Sequence, residues 1–168
     1  GADHLGEPWA TQLEEASLSG LLAQDRNNTY EGAPEAYVTG SIRDAQSRYN
    51  LRNLVDGDFK IVPAEFDTLK RLCEAASVAP EVAELIASGL QAAWRPSAGD
   101  ASSAGAGAAL PPHRLAQLVW LGLDENSVKR LQPWVSLLPE PTPLNLNTAS
   151  REVLAAVVPG LDASSAER

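Results

Sequence analysis

The sequence contains few of the residues from which catalytic and metal sites are usually built. One of its 168 residues is cysteine and two are histidine. A single cysteine excludes an intrachain disulfide, and one Cys with two distant His residues is too few ligands for a zinc site. Neither His4 nor His113 has a Ser or Cys at a spacing that indicates nucleophilic catalysis. We therefore predict a protein that is not an enzyme, and we assign no catalytic, cofactor-binding or metal-binding residue.

Positive charge, aromatic residues and long apolar runs are scarce as well. The 22 acidic residues outnumber the 13 Lys and Arg residues, which gives a formal net charge of −9. Because nucleic-acid binders use positive surface to release counterions from phosphate, this balance disfavours that class. Only 5% of residues are aromatic although 44% are hydrophobic, which favours helices over a large sheet. No apolar run reaches the roughly 18 residues of a membrane span, and no signal peptide is visible.

The first third of the chain is predicted to be irregular with some strand. Gly, Asn, Pro and Glu interrupt residues 1–35. Residues 36–54 are the best candidate for strand, and Tyr49 and Leu51 alternate there with polar neighbours. Asp56-Gly57-Asp58 is a turn signal. Two Asp residues around one Gly provide too few oxygen ligands for a calcium-binding loop, so we interpret this segment as a polar turn.

From residue 63 onward the hydrophobic pattern has the period of a helix. Pro63 and Pro80 are expected to open the first two helices, since proline is tolerated in the first turn. Their predicted inward faces are Phe66, Leu69, Leu72 and Cys73, then Val82, Leu85, Ile86, Leu90 and Ala93. Residues 97–109 consist mostly of Gly, Ala and Ser and predict a flexible low-complexity loop.

Residues 111–135 and 144–168 share one layout, namely a helix, a turn with glycine, a Leu-Asp pair and another helix. We interpret both as helix-hairpin-helix-like units. In the first unit Asp124 is expected to cap the second helix. The residues predicted to face inward there are Leu115, Leu118, Val119, Val128, Leu131, Trp134 and Val135. We place the helical tryptophans in the core, and they are Trp94, Trp120 and Trp134.

The second unit contains the sharpest local motif, which runs from Leu144 to Leu161. Thr148 or Ser150 is expected to cap a helix that Pro159-Gly160 ends. In DNA-binding hairpins a glycine then exposes backbone N–H groups to phosphate, but here that position holds Asp162, which repels phosphate and caps the next helix. We therefore interpret the motif as structural, and its residues are Asn145, Asn147, Thr148, Gly160 and Asp162.

Four stretches in order resemble the K-type minor pseudopilins of the type II secretion system. They are residues 3–10 (DHLGEPWA), residues 40–54 (GSIRDAQSRYNLRNL), a helical region, and the Asn-x-Asn-Thr-Ala stretch at residues 145–149. Ser47 stands where that family usually has Gly, and Arg52 where it often has Asn. The last stretch also resembles the competence-type DNA receptors, so a helix-hairpin-helix DNA-binding protein is the alternative function.

The family resemblance implies an α+β fold with two parts. Residues 1–60 would form a pilin-like segment that holds part of the sheet, and residues 61–168 an all-helical inserted domain. It also implies that a hydrophobic N-terminal helix, which anchors the full-length form in the membrane, precedes Gly1 and that strands follow Arg168. The chain ends in what looks like the first turn of a helix, which suggests a piece of a longer protein.

The resemblance further implies a role at the tip of the periplasmic pseudopilus on the inner membrane of a Gram-negative bacterium. The protein would initiate or cap the fibre, with I- and J-type minor pseudopilins and other pseudopilus subunits as partners. Because aromatic anchors often dominate interfaces, we predict partner contacts at Leu5, Trp9 and Leu13. Family members often carry an Asp-rich stretch linked to calcium, but residues 95–109 contain Asp100 alone, so no calcium site is assigned.

Overall fold

The computed structural model describes residues 3–11, 16–17, 37–95 and 110–161. Internal contacts divide the chain into two compact units, Gly1–Asp44 and Ala45–Arg168. The first unit contains a 3-10 helix, Pro8–Ala10, and two short strands, β1 (Ala16–Ser17) and β2 (Tyr37–Val38), which pair antiparallel. The domain limits expected from the sequence, 1–60 and 61–168, stay a prediction.

The second unit begins within residues 36–54, where we expected strand, and most of that segment is not in a strand. Strand β3 (Tyr49–Asn50) has only two residues and pairs in parallel with β4 (Val135–Ser136). A 3-10 helix, Ala45–Ser47, precedes it and another, Leu51–Leu54, follows it. The expectation of strand through Leu51 was wrong because the Asn50 side chain accepts the Arg52 N–H and caps the second 3-10 helix.

The remaining elements are helices, as the change of period at residue 63 predicted. They are α1 (Pro63–Ala75), α2 (Glu81–Trp94), the 3-10 helix Leu115–Leu121, α3 (Glu125–Leu131) and α4 (Arg151–Val157). Together with the short strands they make an α+β fold, as expected. No helix in the described ranges is long and apolar enough to cross a membrane.

Helix α1 is central to the packing of this unit. It contacts α2, α4 and the 3-10 helix Leu51–Leu54. Its expected face is confirmed, because Leu69, Leu72 and Cys73 are fully buried and Phe66 packs against the core. Burial raises the pKa of the Cys73 thiol to about 11. The reactive thiolate is therefore scarce at neutral pH, which fits the predicted inert, buried cysteine.

Three expectations about inward-facing residues were wrong. Leu85 of α2 is 42% exposed, Val119 is 36% exposed and Trp120 is 49% exposed. Trp120 lies on the 3-10 helix Leu115–Leu121, in which residues three apart fall on the same side. That spacing turns Leu115, Leu118 and Leu121 toward the core and leaves Trp120 on the outside. Trp94 and Trp134 are half-buried and pack against the core, as expected.

Candidate functional site

The Asn145 stretch forms a closed turn. The Asn145 Oδ1 atom accepts the Asn147 N–H at 3.1 Å. The Asn145 carbonyl accepts the N–H groups of Thr148 and Ala149, and the side chain of Thr148 is buried. The Asn145 N–H donates to the carbonyl of Gln46 at 2.9 Å. These hydrogen bonds therefore pair polar groups within the turn and connect the turn to the segment before β3.

Helix α4 follows this turn and has ordinary caps. Of the two expected N-caps, Ser150 is the one observed, and its hydroxyl accepts the Val153 N–H at 3.4 Å. The helix ends at Val157, and Gly160 has a φ of +81°, a left-handed conformation that glycine adopts most readily. Asp162 lies outside the described residues, so its capping role stays a prediction.

The first hairpin has a carboxylate at the matching position, because Asp124 is the N-cap of its second helix, α3. After Gly122, which has a φ of +96°, the Asp124 carboxylate accepts the Ser127 N–H at 3.0 Å and its hydroxyl at 2.5 Å. The Ser127 hydroxyl and backbone N–H hold the pKa of Asp124 below its ordinary value. The protein's own carboxylate therefore occupies the end of α3 where a DNA-binding hairpin receives phosphate.

A groove on the second unit, which we call the Arg52 groove, was not anticipated from the sequence. Its volume is about 440 Å³, and its lining residues are Arg52, Trp94, Pro111, Pro112, His113, Leu137, Leu138 and Pro139. The Arg52 guanidinium lies over the Trp94 ring, 4.2 Å from its centroid. The Arg52 Nη1 atom is buried and has no hydrogen-bond partner among the residues that the structure describes. The signal in the sequence was Arg52 itself, which departs from the Asn expected by resemblance.

A second groove, which we call the hairpin groove, lies between the 3-10 helix Leu115–Leu121 and α3. Its volume is about 360 Å³. The lining residues are Leu115, Ala116, Val119, Glu125, Val128, Lys129 and Gln132. The exposed Val119 and Trp120 lie on the same 3-10 helix, so the first hairpin presents an apolar surface.

The predicted partner residues belong to the first unit. Leu5 is 65% exposed. Trp9 is half-buried, and its indole Nε1–H donates to the Glu7 carboxylate at 2.5 Å. Leu13 lies outside the described residues. The predicted interface at Leu5, Trp9 and Leu13 stays a prediction.

The residues weighed for metal binding form local turns. The Asp56 Oδ1 atom accepts the N–H groups of Asp58 at 2.9 Å and Lys60 at 2.8 Å, as in the polar turn that we expected. Across residues 3–11, 16–17, 37–95 and 110–161, no three His, Cys, Asp or Glu side chains come together as metal ligands. The described surface has two apolar grooves, and Arg52, whose buried Nη1 atom lacks an acceptor in the described part of the chain, lines one of them. The fold and these grooves define an α+β domain with two apolar surface grooves.

Comparison with known proteins assigns the family. The family model for the first domain of type II secretion system protein K matches residues 47–140, and a second protein K model matches residues 144–168. The type II secretion system protein K of Pseudomonas aeruginosa is 32% identical over 171 residues, which cover 92% of this chain and 46% of that protein. The chain thus belongs to the type II secretion system protein K family, as its resemblance predicted, and spans about half the length of this relative.

A solved structure agrees with this assignment at the level of the fold. The chain resembles one chain in the crystal structure of the GspK-GspI-GspJ complex from the enterotoxigenic Escherichia coli type 2 secretion system, with a TM-score of 0.61. The match covers 92% of this chain and 56% of that one, at 23% sequence identity.

Proposed function

We propose that this chain is the periplasmic part of a minor pseudopilin of the type II secretion system. It sits at the tip of the pseudopilus on the periplasmic face of the inner membrane, and it helps to initiate or cap the fibre for protein secretion. The observation that carries the proposal is the family match, which extends over residues 47–140 and 144–168. In the full-length protein an N-terminal helix anchors this part in the membrane.

The proposed partners are the I- and J-type minor pseudopilins and other pseudopilus subunits. The proposal draws on the Escherichia coli relative of similar fold, which was crystallised in a GspK-GspI-GspJ complex. It also draws on the Arg52 and hairpin grooves, which offer apolar surface for docking. The role is structural and needs no catalytic group.

Two observations argue against the DNA-binding alternative. The net charge of −9 opposes binding to phosphate. In the first hairpin, the Asp124 carboxylate takes the N–H group that would otherwise be offered to a DNA backbone. We therefore expect no nucleic-acid partner.

Co-purification with the I- and J-type minor pseudopilins of the same organism tests this proposal. The chain is expected to elute with both partners in size-exclusion chromatography. A form without residues 1–13 and a double L5A/W9A variant locate the interface, and Leu146→Ala, at an exposed leucine of the second unit that lines neither groove, is the matched control. Loss of the complex in the first two alone assigns it to the predicted residues. Failure of the intact chain to bind either partner would contradict the proposed function.

A further inference from the structure

We infer that the side chains of Asn50 and Asn53 form a latch that holds the second hairpin closed. The latch consists of these two side chains and the backbone of residues 138–142, the segment that leads from β4 to the second hairpin. When the latch is broken, residues 138–161 open as one unit while α1, α2 and the first hairpin stay folded. Opening uncovers Val153 and Ala156, which are buried, so the latch keeps an apolar face covered. The inference goes beyond the proposed function and does not depend on it.

The hydrogen bonds of the latch are the first observation. The Asn53 Nδ2 atom donates to the Thr142 carbonyl at 3.0 Å, and its Oδ1 atom accepts the Thr142 N–H at 2.9 Å. The Asn50 Nδ2 atom donates to the Glu140 carbonyl at 2.8 Å, and its Oδ1 atom accepts the Leu138 N–H at 3.0 Å. Asn50 is only 3% exposed. Breaking these bonds without replacing them is therefore costly, because water does not readily reach the groups that lose their partners.

The sequence of residues 138–143 explains why side chains, and not a backbone ladder, hold this segment. Pro139, Pro141 and Pro143 have no backbone N–H, so the segment cannot continue β4 as a paired strand. The prolines also fix their own φ angles and restrict Glu140 and Thr142, the residues before them. Since little backbone freedom remains to be lost, two asparagine side chains are enough to hold the segment in place.

The contacts of α4 indicate that the second hairpin is a unit of low local stability. Helix α4 has seven residues, about two turns, and a helix of that length is not stable by itself in water. Its buried residues are Val153 and Ala156, and Arg71 donates to the Ala156 carbonyl. By comparison, α1 and α2 bury four and five residues. Elements with few buried contacts open locally at a lower free energy than the rest of a protein.

The position of the latch along the chain is consistent with a junction between two parts. The first family model ends at residue 140, and the second begins at residue 144. Asn50 and Asn53 lie within the first match, and their partners in the latch are 88 to 90 residues away in sequence. Loss of bonds between such distant segments releases one segment from the other without unwinding any helix. The latch therefore joins the two matched regions at their boundary.

Native-state amide hydrogen exchange of the whole chain, measured by NMR, tests the inference. Asn53→Ala leaves both backbone groups of Thr142 without their partner. The amides of Thr142, Leu154 and Val158 should then exchange at least about tenfold faster than in the wild type. The amides of α1 and α2 should keep their wild-type rates, because these helices do not open with the hairpin.

Two further variants make the test specific. Asn53→Asp can still accept the Thr142 N–H but cannot donate to the Thr142 carbonyl, so its effect should be smaller than that of Asn53→Ala. This milder change also provides the measurement if Asn53→Ala does not fold. Asn126→Ala, at an exposed asparagine of α3, is the matched control and should leave all of these rates unchanged.

Two results would overturn the inference. Unchanged exchange at Leu154 and Val158 in folded Asn53 variants would show that the packing of α4 alone holds the hairpin. Equal acceleration in α1 and α4 would show that the second unit opens only as a whole. Neither result depends on binding to I- and J-type pseudopilins, so failure of the latch is distinguishable from failure of the proposed function.

Discussion

The two hairpins share a sequence layout, but their first helices differ in the apolar side chains that they leave exposed. In the second hairpin, α4 packs against α1, with Val153 and Ala156 buried. In the first, the 3-10 helix Leu115–Leu121 contacts α2 and α3 but leaves Trp120 exposed. The first helix of the second hairpin therefore leaves no apolar side chain exposed, whereas the corresponding 3-10 helix of the first hairpin exposes Val119 and Trp120. The predictions below test whether that division is real.

The largest effect is expected from Leu118 in the first hairpin, compared with its neighbour Trp120. Leu118 is fully buried, so Leu118→Ala should lower the free energy of unfolding by about 2–5 kcal/mol. Trp120→Ala removes a larger side chain but an exposed one, and it should change stability by no more than about 0.5 kcal/mol. Urea unfolding followed by circular dichroism measures both. A large loss from Trp120→Ala would mean that this side chain is buried in solution.

The contact between the first hairpin and α2 depends on Gly89. A Cβ added to Gly89 would lie 3.0 Å from the Cβ of Leu121. Gly89→Ala should therefore destabilise by about 1–2 kcal/mol, since the clash outweighs the gain in helix propensity. The double variant G89A/L121A should lose less than the sum of the two single variants, because the second change removes the Leu121 Cδ1 and Cδ2 atoms at 3.0 and 3.2 Å and leaves only the Cβ contact. Additive losses would place the 3-10 helix farther from α2.

The second hairpin is joined to α1 by a partly buried hydrogen bond, and the first is joined to the α1–α2 turn by an exposed one. Arg71 Nε donates to the Ala156 carbonyl at 2.5 Å, and Arg130 Nη1 donates to the Ser77 carbonyl at 2.8 Å. Arg71→Met should cost about 1.5 kcal/mol because it leaves a partly buried carbonyl unpaired. Arg130→Met should stay within about 0.5 kcal/mol. Equal losses of stability in thermal or urea unfolding would show that the two hydrogen bonds contribute equally.

The smallest effect concerns the pH dependence of the two helix caps. The pKa of Asp124 is lowered in the folded chain, first by the hydrogen bond from the Ser127 hydroxyl. Its stabilising effect is therefore complete above its unfolded pKa of about 3.9 and is lost as pH falls through the lower folded value. Ser150, which caps α4, does not titrate.

NMR titration of the Asp124 carboxyl carbon measures this shift. Unfolding of the wild type and of Asp124→Asn at pH 6 and pH 3 then isolates its effect, because Glu152, whose pKa Arg151 also lowers, is present in both. The difference in stability between the two proteins should shrink at the lower pH. A constant difference would show that the Asp124 charge does not act at the cap.

Much of the helical part of the fold could be predicted from the sequence, because local chemistry decides it. Pro63 opens α1, Asp124 caps α3, and Gly160 follows α4 in a left-handed conformation. These residues act on their own neighbours in the chain. For the same reason, the helical spacing of apolar residues correctly predicted the buried face of α1.

The errors arose where distant residues or an uncommon helix type decide the structure. Asn50 donates through Nδ2 to the Glu140 carbonyl, 90 residues away, and a pattern of local alternation carries no information about that bond. Trp120 was misplaced because a 3-10 helix repeats every three residues, not every 3.6. The Arg52 groove joins residues from four separate parts of the second unit, so no single stretch of sequence indicates it.

The most direct test of the central claim, that the hairpins are structural and the protein docks with other pseudopilins, is one competition measurement. A fluorescently labelled DNA duplex and the I- and J-type minor pseudopilins are mixed with the chain at about 0.15 M salt. We predict that the chain elutes with the pseudopilins and leaves the anisotropy of the duplex unchanged. Binding to the duplex that weakens steeply as salt rises, without binding to the pseudopilins, would contradict the account.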